Sequence, residues 1–430
     1  MTAINMPFRF GLETLLERPS GVAVYHRDAS GQHTSDAQNL ADSLQGRRIA
    51  VLSHPAGVDR DLEPGIDKIH DWLQRGDGPQ GASIRALFGP QHGLRGEKQD
   101  NMIESADYTD PELGIPAFSL YGTSRRITER AAATFDVLLV DLQDVGVRVY
   151  TFLTTLAYIL EDLQRWPGKE IWVLDRPNPT GRRIEGLSLQ AGHESFVGVD
   201  TIPMQHGLTL GEFALHYHHS RSLTTNLTVV PMTGWRPDSL GESWPSERVW
   251  VQPSPNMPGL YTARAYPGTV MLEGTTLSEG RGTTRPLSLI GDPRVDWKRV
   301  RAEVPDQSVF KGCRVRHVTF QPTFHKHVGV PVPGIELVTE GEFWTPEEFK
   351  PYRLVASVLK TIRSLYPDLP LWTTPPYEYE YERVPIDVIT GGPRFREWVD
   401  DPHTDWEPFI RQIIQDEAQW QEYSRRWWLY

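Results

Sequence analysis

The stretch Ala86–Glu104, ALFGPQHGLRGEKQDNMIE, decides how the rest of the chain reads. The run Ile84–Phe88, apolar except for Arg85, stops at Gly89-Pro90. After it come Gln91, His92, Arg95, Glu97, Lys98, Gln99, Asp100, Asn101 and Glu104. A buried strand that empties into a polar, glycine-studded loop is how open α/β sheets present ligand sites, at the carboxyl ends of their strands. Loops held in this way by a rigid scaffold carry function.

The same pattern recurs on both sides. Upstream, residues 1–45 have no regular pattern apart from a short helix at Phe10–Leu16. Arg48–Ser53 is an apolar strand followed by His54, and Gly65–Leu73 has helical spacing. Downstream, Ala117–Leu120 is a strand closed by Tyr121-Gly122, and Arg126–Thr134 reads as helix. Val137–Val140 is fully apolar, as in a strand buried on both faces, and Gln143-Asp144 follow it. Leu153–Leu163 carries a helical apolar stripe. Ile171–Leu174 runs into Asp175-Arg176-Pro177-Asn178, and helix Leu210–Tyr217 precedes strand Leu227–Val230. Such alternation predicts a doubly wound parallel sheet over about 46–235, a Rossmann-like α/β fold. All the polar groups then fall at one edge, which is the expected cleft.

Beyond Pro231 the pattern changes. Pro253–Pro258, PSPNMP, is a rigid loop presenting Asn256. Glu273–Thr284, EGTTLSEGRGTT, is a glycine- and hydroxyl-rich loop centred on Glu279 and Arg281, and it is expected to reach the same cleft. Helices are expected near Trp297–Val304, Pro346–Leu365 and Phe409–Trp428, with strands at Val315–Phe320 and Ile335–Val338. The expected division is a catalytic domain over residues 1–265 and a smaller α/β C-terminal auxiliary domain over 266–430.

Composition excludes several classes. The 44 basic and 56 acidic residues give a net charge of −12, which argues against nucleic acid or a membrane surface as partner. No run approaches the roughly 20 apolar residues of a membrane span, and no export signal is visible. A cytoplasmic protein is therefore expected. Cys313 is the only cysteine, so no thiolate cluster can hold zinc. Phosphate-binding loops, GxSxG and HExxH are absent. His216-Tyr217-His218-His219 reads as a solvated helix end, and His325-Lys326-His327 alternates as a strand does. No metal or cofactor is expected.

Glycoside cleavage needs an acid for the leaving oxygen and a second group at the anomeric carbon. Glu97, Glu104, Asp144, Asp175 and Glu279 are candidate carboxylates. Arg95, Arg148, Arg176 and Arg281 suit an anionic substrate, or else they pair with those acids to brace the loops.

PQHGLRG (Pro90–Gly96), DLQDVGVRVYTF (Asp141–Phe152), LDRPNPTGRRIEG (Leu174–Gly186), QHGLTLGE (Gln205–Glu212), PSPNMP and YPGTVMLEGTTLSEGRGTTRP (Tyr266–Pro286) together resemble one family. FQPTFHKHVG (Phe320–Gly329) continues it in the same order. The chain is similar to the exo-β-N-acetylmuramidases, the NamZ-like glycoside hydrolases also known as DUF1343. The resemblance implies a Rossmann-like domain with a smaller C-terminal domain. It also implies release of N-acetylmuramic acid from the non-reducing ends of peptidoglycan fragments. A small saccharide or muropeptide is the implied substrate, met in cell-wall recycling.

The resemblance implies a PEHG motif, typical of that family and with its glutamate as the proposed acid, where this chain has Gln91. An amide can position groups but cannot supply a proton at neutral pH. The catalytic group is therefore expected among Gln91, His92, Glu97 and Glu104, with Glu97 first in line as the acid. His54, Arg95, Gln143, Asp144, Arg148, Tyr150, Asp175, Arg176, Asn178, Asn256, Glu279 and Arg281 are expected to bind substrate. The competing readings are a saccharide-binding homologue without catalysis, and another hydrolase activity on the same scaffold.

Overall fold

A computed structural model describes residues 6–96, 98, 102–237 and 243–430. Eleven strands precede residue 231: β1 Ala23–Asp28, β2 Gly31–Asp36, β3 Arg48–Ser53, β4 Ser83–Gly89, β5 Tyr108–Thr109, β6 Pro116–Ser119, β7 Val137–Asp141, β8 Glu170–Leu174, β9 Glu185–Ser188, β10 Pro203–Gln205 and β11 Asn226–Val230. Nine of them form one sheet in the order β2-β1-β11-β8-β7-β3-β4-β6-β5. The central six, β11 to β6, are all parallel. Counted among themselves they run 6-5-4-1-2-3, the doubly wound order, and the direction of winding reverses between β3 and β7.

The sequence of β7 explains why the sheet is covered twice. Val137 and Leu139 join one buried cluster with Leu12, Ile69 and Trp72, which come from the helices Gly11–Glu17 and Gly65–Gln74. Leu138 and Val140 join the other, with Leu153, Leu156, Phe213 and Ala214 from the helices Phe152–Leu163 and Leu210–Ser220. Period-2 alternation of an all-apolar strand must fill two cores. The second cluster continues into the C-terminal part of the chain. There, β12 Leu289–Gly291, β13 Arg314–Phe320 and β14 Val332–Val338 form an antiparallel sheet in the order β12-β14-β13. Around it lie the helices Leu260–Thr269, Pro351–Leu365, Arg394–Asp400 and Trp406–Ser424.

Several expectations are corrected. The N-terminal 45 residues are not patternless. β1 and β2 form a hairpin that extends the sheet antiparallel to β11. Its residues are mostly polar and half-exposed, so no apolar run betrays it. Only Glu129–Ala132 of the expected helix 126–134 is helical. The helix expected from Pro346 begins at Pro351, where proline at the first turn loses no hydrogen bond. His325 and His327 lie in a turn rather than a strand, each with positive φ. His216 and His218 are buried, not solvated, and bond Asp200 at 2.6 Å and the Thr225 carbonyl at 2.8 Å. No helix among the described residues is long and apolar enough to cross a membrane.

Candidate active site

The site grows from two loops at the carboxyl edge of the sheet. After β4 the chain turns tightly, the Gly93 amide donating to the Pro90 carbonyl at 3.0 Å. His92 takes φ 72° in that turn, a conformation costly for any residue but glycine. Leu94 is buried beneath it, and Gln91 and His92 are thereby turned inward and buried. The His92 Nδ1 is 2.7 Å from the Lys98 carbonyl. After β7 the loop crosses at Gly146, whose φ is 75° and where a side chain would strike the Asn178 amide. Val145, Val147 and Val149 then pack inward, which carries Tyr150 and Thr151 to the start of helix Phe152–Leu163. Thr151 does not cap that helix. Its hydroxyl donates instead to Gln91 Oε1 at 2.7 Å.

That bond fixes the Gln91 amide, and its Nε2 donates to Glu378 Oε1 at 3.0 Å. The other oxygen of Glu378 accepts from the Tyr121 hydroxyl at 2.7 Å. Glu378 is buried, and burial raises its pKa to about 7 against the opposing pull of those two hydrogen bonds. At neutral pH it is thus a carboxyl with a transferable proton. Glu378 and Tyr379 both have positive φ, 44° and 67°. Each such residue costs about 1–3 kcal/mol, and such strain gathers at functional sites.

Glu378 closes a cavity of about 30 Å³ lined also by Gln91, His92, Tyr150, Thr151, Ser254, Asn256, Glu273, Arg281 and Tyr377. Glu273 is the second carboxyl of this wall. It pairs with Arg281 at 2.8 Å and accepts from the Tyr377 hydroxyl at 2.7 Å. The cavity therefore joins a carboxyl among neutral donors to a carboxylate held by a guanidinium.

Of the residues expected from sequence, Gln91, His92, Tyr150, Asn256 and Arg281 meet here. Glu97, the first candidate acid, lies outside the described residues. Glu104 is exposed and accepts from the Tyr379 hydroxyl at 3.2 Å. Arg95 points away to Asp110 and Glu112, at 3.1 and 3.0 Å. Asp144 is buried, which raises its pKa to about 7. Its Oδ2 accepts from the Gly146 amide at 2.7 Å, and its Oδ1 has no partner.

The remaining side chains are engaged in holding the scaffold. His54 Nε2 accepts from the Gln143 amide at 2.8 Å while Nδ1 faces the Pro253 carbonyl at 3.2 Å. Burial lowers its pKa to about 3, so it is a neutral tie across the β3–β7 switch point. Gln143 Nε2 donates to the carbonyls of Asp144 and Pro177. Arg148 donates to the carbonyls of Leu187, Ile202 and Ile389, and burial lowers its pKa to about 10. Asp175 accepts from Thr209, the Gly211 amide and Tyr430. Arg176 clasps Asp141 with bonds of 2.6 and 3.0 Å. Asn178 bonds Thr180 and the Leu208 carbonyl. Glu279 is enclosed by Lys326, His325 and Arg281, at 2.8, 3.1 and 3.3 Å.

Glu378, Glu273 and Tyr377 line the cavity without having been among the site residues expected from sequence. One signal was available: YEYEYER, residues 377–383, follows Pro375-Pro376. A carboxylate flanked by tyrosines on a stiff proline base is an unusual loop. Among the described residues no group of three or more His, Cys, Asp or Glu side chains could hold a metal ion.

A family model described as exo-beta-N-acetylmuramidase NamZ, N-terminal, matches residues 49–261, and its C-terminal counterpart matches residues 264–430. The peptidoglycan beta-N-acetylmuramidase NamZ of Bacillus subtilis (strain 168) is 38% identical over 326 residues, spanning 76% of this chain and 75% of that protein. A crystal structure of a DUF1343 family protein from Bacteroides fragilis aligns with a TM-score of 0.79 at 26% identity, covering 98% of this chain and 99% of that one. A second DUF1343 structure from the same organism gives 0.70 at 22% identity, covering 99% of each, a likeness of fold alone.

Proposed function

The chain belongs to the exo-β-N-acetylmuramidase NamZ family, and from that premise we propose that it releases N-acetylmuramic acid, or a related acidic amino sugar, from the ends of peptidoglycan fragments. The observation that carries the proposal is Glu378. Glycoside hydrolysis needs a carboxyl group that is still protonated near neutral pH. Glu378 meets that need, at hydrogen-bond distance from the amide of Gln91.

In this reading Glu378 protonates the leaving glycosidic oxygen. The Tyr121 hydroxyl and the Gln91 amide then steady the carboxylate that remains. Glu273, oriented by Arg281 and Tyr377, assists attack at the anomeric carbon. The body over residues 1–265 supplies Gln91, Tyr121 and Tyr150, while 266–430 supplies both carboxyls. Catalysis therefore needs both parts of the chain. A cavity of about 30 Å³ holds a water molecule rather than a sugar, so substrate entry requires these walls to part.

Gln91 alone would favour a binder without catalysis, but a carboxyl 3.0 Å from it restores an acid to that place. Chromogenic muramyl and glucosaminyl glycosides separate the two. Hydrolysis of the muramyl compound is expected. Its kcat should fall about 10²- to 10⁴-fold in Glu378→Gln, as for loss of a general acid, with the fold intact and Tm no lower than that of wild type. Wild-type protein inert on both compounds, or a fully active Glu378→Gln, would sink the assignment. Activity lost instead in Glu97→Gln would return the acid to Glu97.

A further inference from the structure

We propose that a second cavity, walled by the helices Pro351–Leu365, Arg394–Asp400 and Trp406–Ser424, is a saccharide site that takes a neutral N-acetylhexosamine unit. Its volume is about 580 Å³, within the range of small-molecule sites. It shares no lining residue with the cavity at Glu378.

Two features specify the ligand. The first is an aromatic wall. Trp398 is buried and stacked flat on Phe409, with ring centroids 3.8 Å apart and planes at 3°. Its Nε1 donates to the Asp405 carbonyl at 3.3 Å. Trp406 stands 5.4 Å from Trp398, tilted by 47°, and is only half-buried. Trp398 is covered by Phe409 on one side and has Lys360 Nζ 5.2 Å from its ring centroid, so it is the half-exposed Trp406 indole, which lines the cavity, that offers a surface for the apolar face of a pyranose ring.

The second is charge. Glu303, Asp306, Asp405 and Glu407 line the cavity against Lys360 and Arg411. Both cations are engaged: Lys360 Nζ donates to the carbonyls of Trp398 and Asp401, each at 2.6 Å, and Arg411 pairs with Glu407 at 3.4 Å. Carboxylates accept readily from sugar hydroxyls and an amide N–H, and they repel an anionic sugar.

The choice of an N-acetylhexosamine over other neutral sugars rests on the proposed peptidoglycan substrate; the saccharide site itself does not.

The full chain is titrated with the N-acetylglucosamine trisaccharide, with cellotriose and with N-acetylmuramic acid, followed calorimetrically. Saturable binding of the first is expected, at least tenfold tighter than either of the others. Trp406→Ala should weaken it at least tenfold, while Glu378→Gln leaves it unchanged and muramyl glycoside hydrolysis persists in Trp406→Ala. Should Trp406→Ala melt early, Asp405→Ala on the exposed rim replaces it, with at least threefold weakening expected. No binding by folded wild type, or binding indifferent to both substitutions, overturns the site. Binding sensitive to Glu378→Gln places the ligand in the catalytic cavity and overturns it too. Equal affinity for cellotriose overturns the N-acetyl assignment, and tighter binding of the acid overturns the charge argument. A wild type that hydrolyses no glycoside would sink the proposed function yet leave these binding results readable.

Discussion

Glu378 and Glu279 are both buried carboxyls in loops of the C-terminal part, 4% and 0% exposed, yet they stand in opposite states. Around Glu378 the donors are an amide and a phenol, and burial carries its pKa up to about 7. Around Glu279 burial pushes the same way. Lys326, His325 and Arg281 outweigh it and hold that carboxyl well below the usual range. Depth alone does not make an acid. The nature of the neighbours decides whether a buried carboxyl keeps a proton or becomes a structural anion.

The largest expected effect is kinetic and falls on one side only. Glu378→Gln should remove most turnover, by about 10²- to 10⁴-fold, whereas Glu279→Gln should leave the pH dependence of kcat in place. A Glu279→Gln protein that stays folded but loses its pH profile would show the two residues to be one system.

Next in size is stability, where the order reverses. Glu279→Gln leaves Lys326 and Arg281 facing a neutral group, and breaking such a buried arrangement costs about 3–5 kcal/mol. Urea unfolding should register this loss at neutral pH. A loss under about 1 kcal/mol would mean that water already reaches the cluster, as at exposed pairs.

Smaller still is a linkage effect. The folded Glu378 holds its proton more tightly than the unfolded chain, whose ordinary value is 4.5. Below that pH both states are protonated and the group is neutral for stability. Between about 4.5 and 7 only the unfolded chain ionises, and stability falls with rising pH by at most about 3 kcal/mol. Calorimetric Tm values should show wild type losing ground to Glu378→Gln across that window and not beyond it. A difference independent of pH would mean that the folded carboxyl titrates as an exposed one does.

The finest distinction is Tyr121→Phe. The hydroxyl stabilises the ionised form, so its removal should move the alkaline limb of kcat upward by about one pH unit, near 1.4 kcal/mol. A downward shift would show Tyr121 acting on the protonated form. Glu104→Gln, on the surface beside Tyr379, should change activity less than twofold, and any larger loss would put it back among the candidate acids.

The parallel sheet was legible because β3, β7 and β8 are nearly unbroken apolar runs, each followed by polar residues. The hairpin β1–β2 was not, because residues such as His26, His33 and Ser35 pair across the strands without an apolar face to announce them. Gln91 and His92 could be placed because their position depends on the strand immediately before them. Glu378 could not. Its burial depends on Gln91, 287 residues away, and on Tyr121, 257 away, and such contacts leave no local periodicity. The reverse failing explains Asp175 and Arg176. A polar residue at the carboxyl edge of a strand reads as a ligand group, yet Arg176 ties β8 to β7 through Asp141. Sheet edges need fasteners as well as sites.

The margins of the nine-stranded sheet bear on how this protein leaves solution. One margin is β2, GQHTSD, and the other is β5, two exposed residues long. Short or polar outermost strands discourage edge-to-edge association of native molecules. The six apolar parallel strands lie between them and are offered to no neighbour while the fold holds. Aggregation must then pass through unfolded or partly unfolded chains, in which long-range parallel pairing is slow to re-form and its apolar runs stay exposed. Turbidity on heating should therefore begin at the calorimetric transition rather than below it, and concentrated protein should stay clear at any temperature where the sheet is intact.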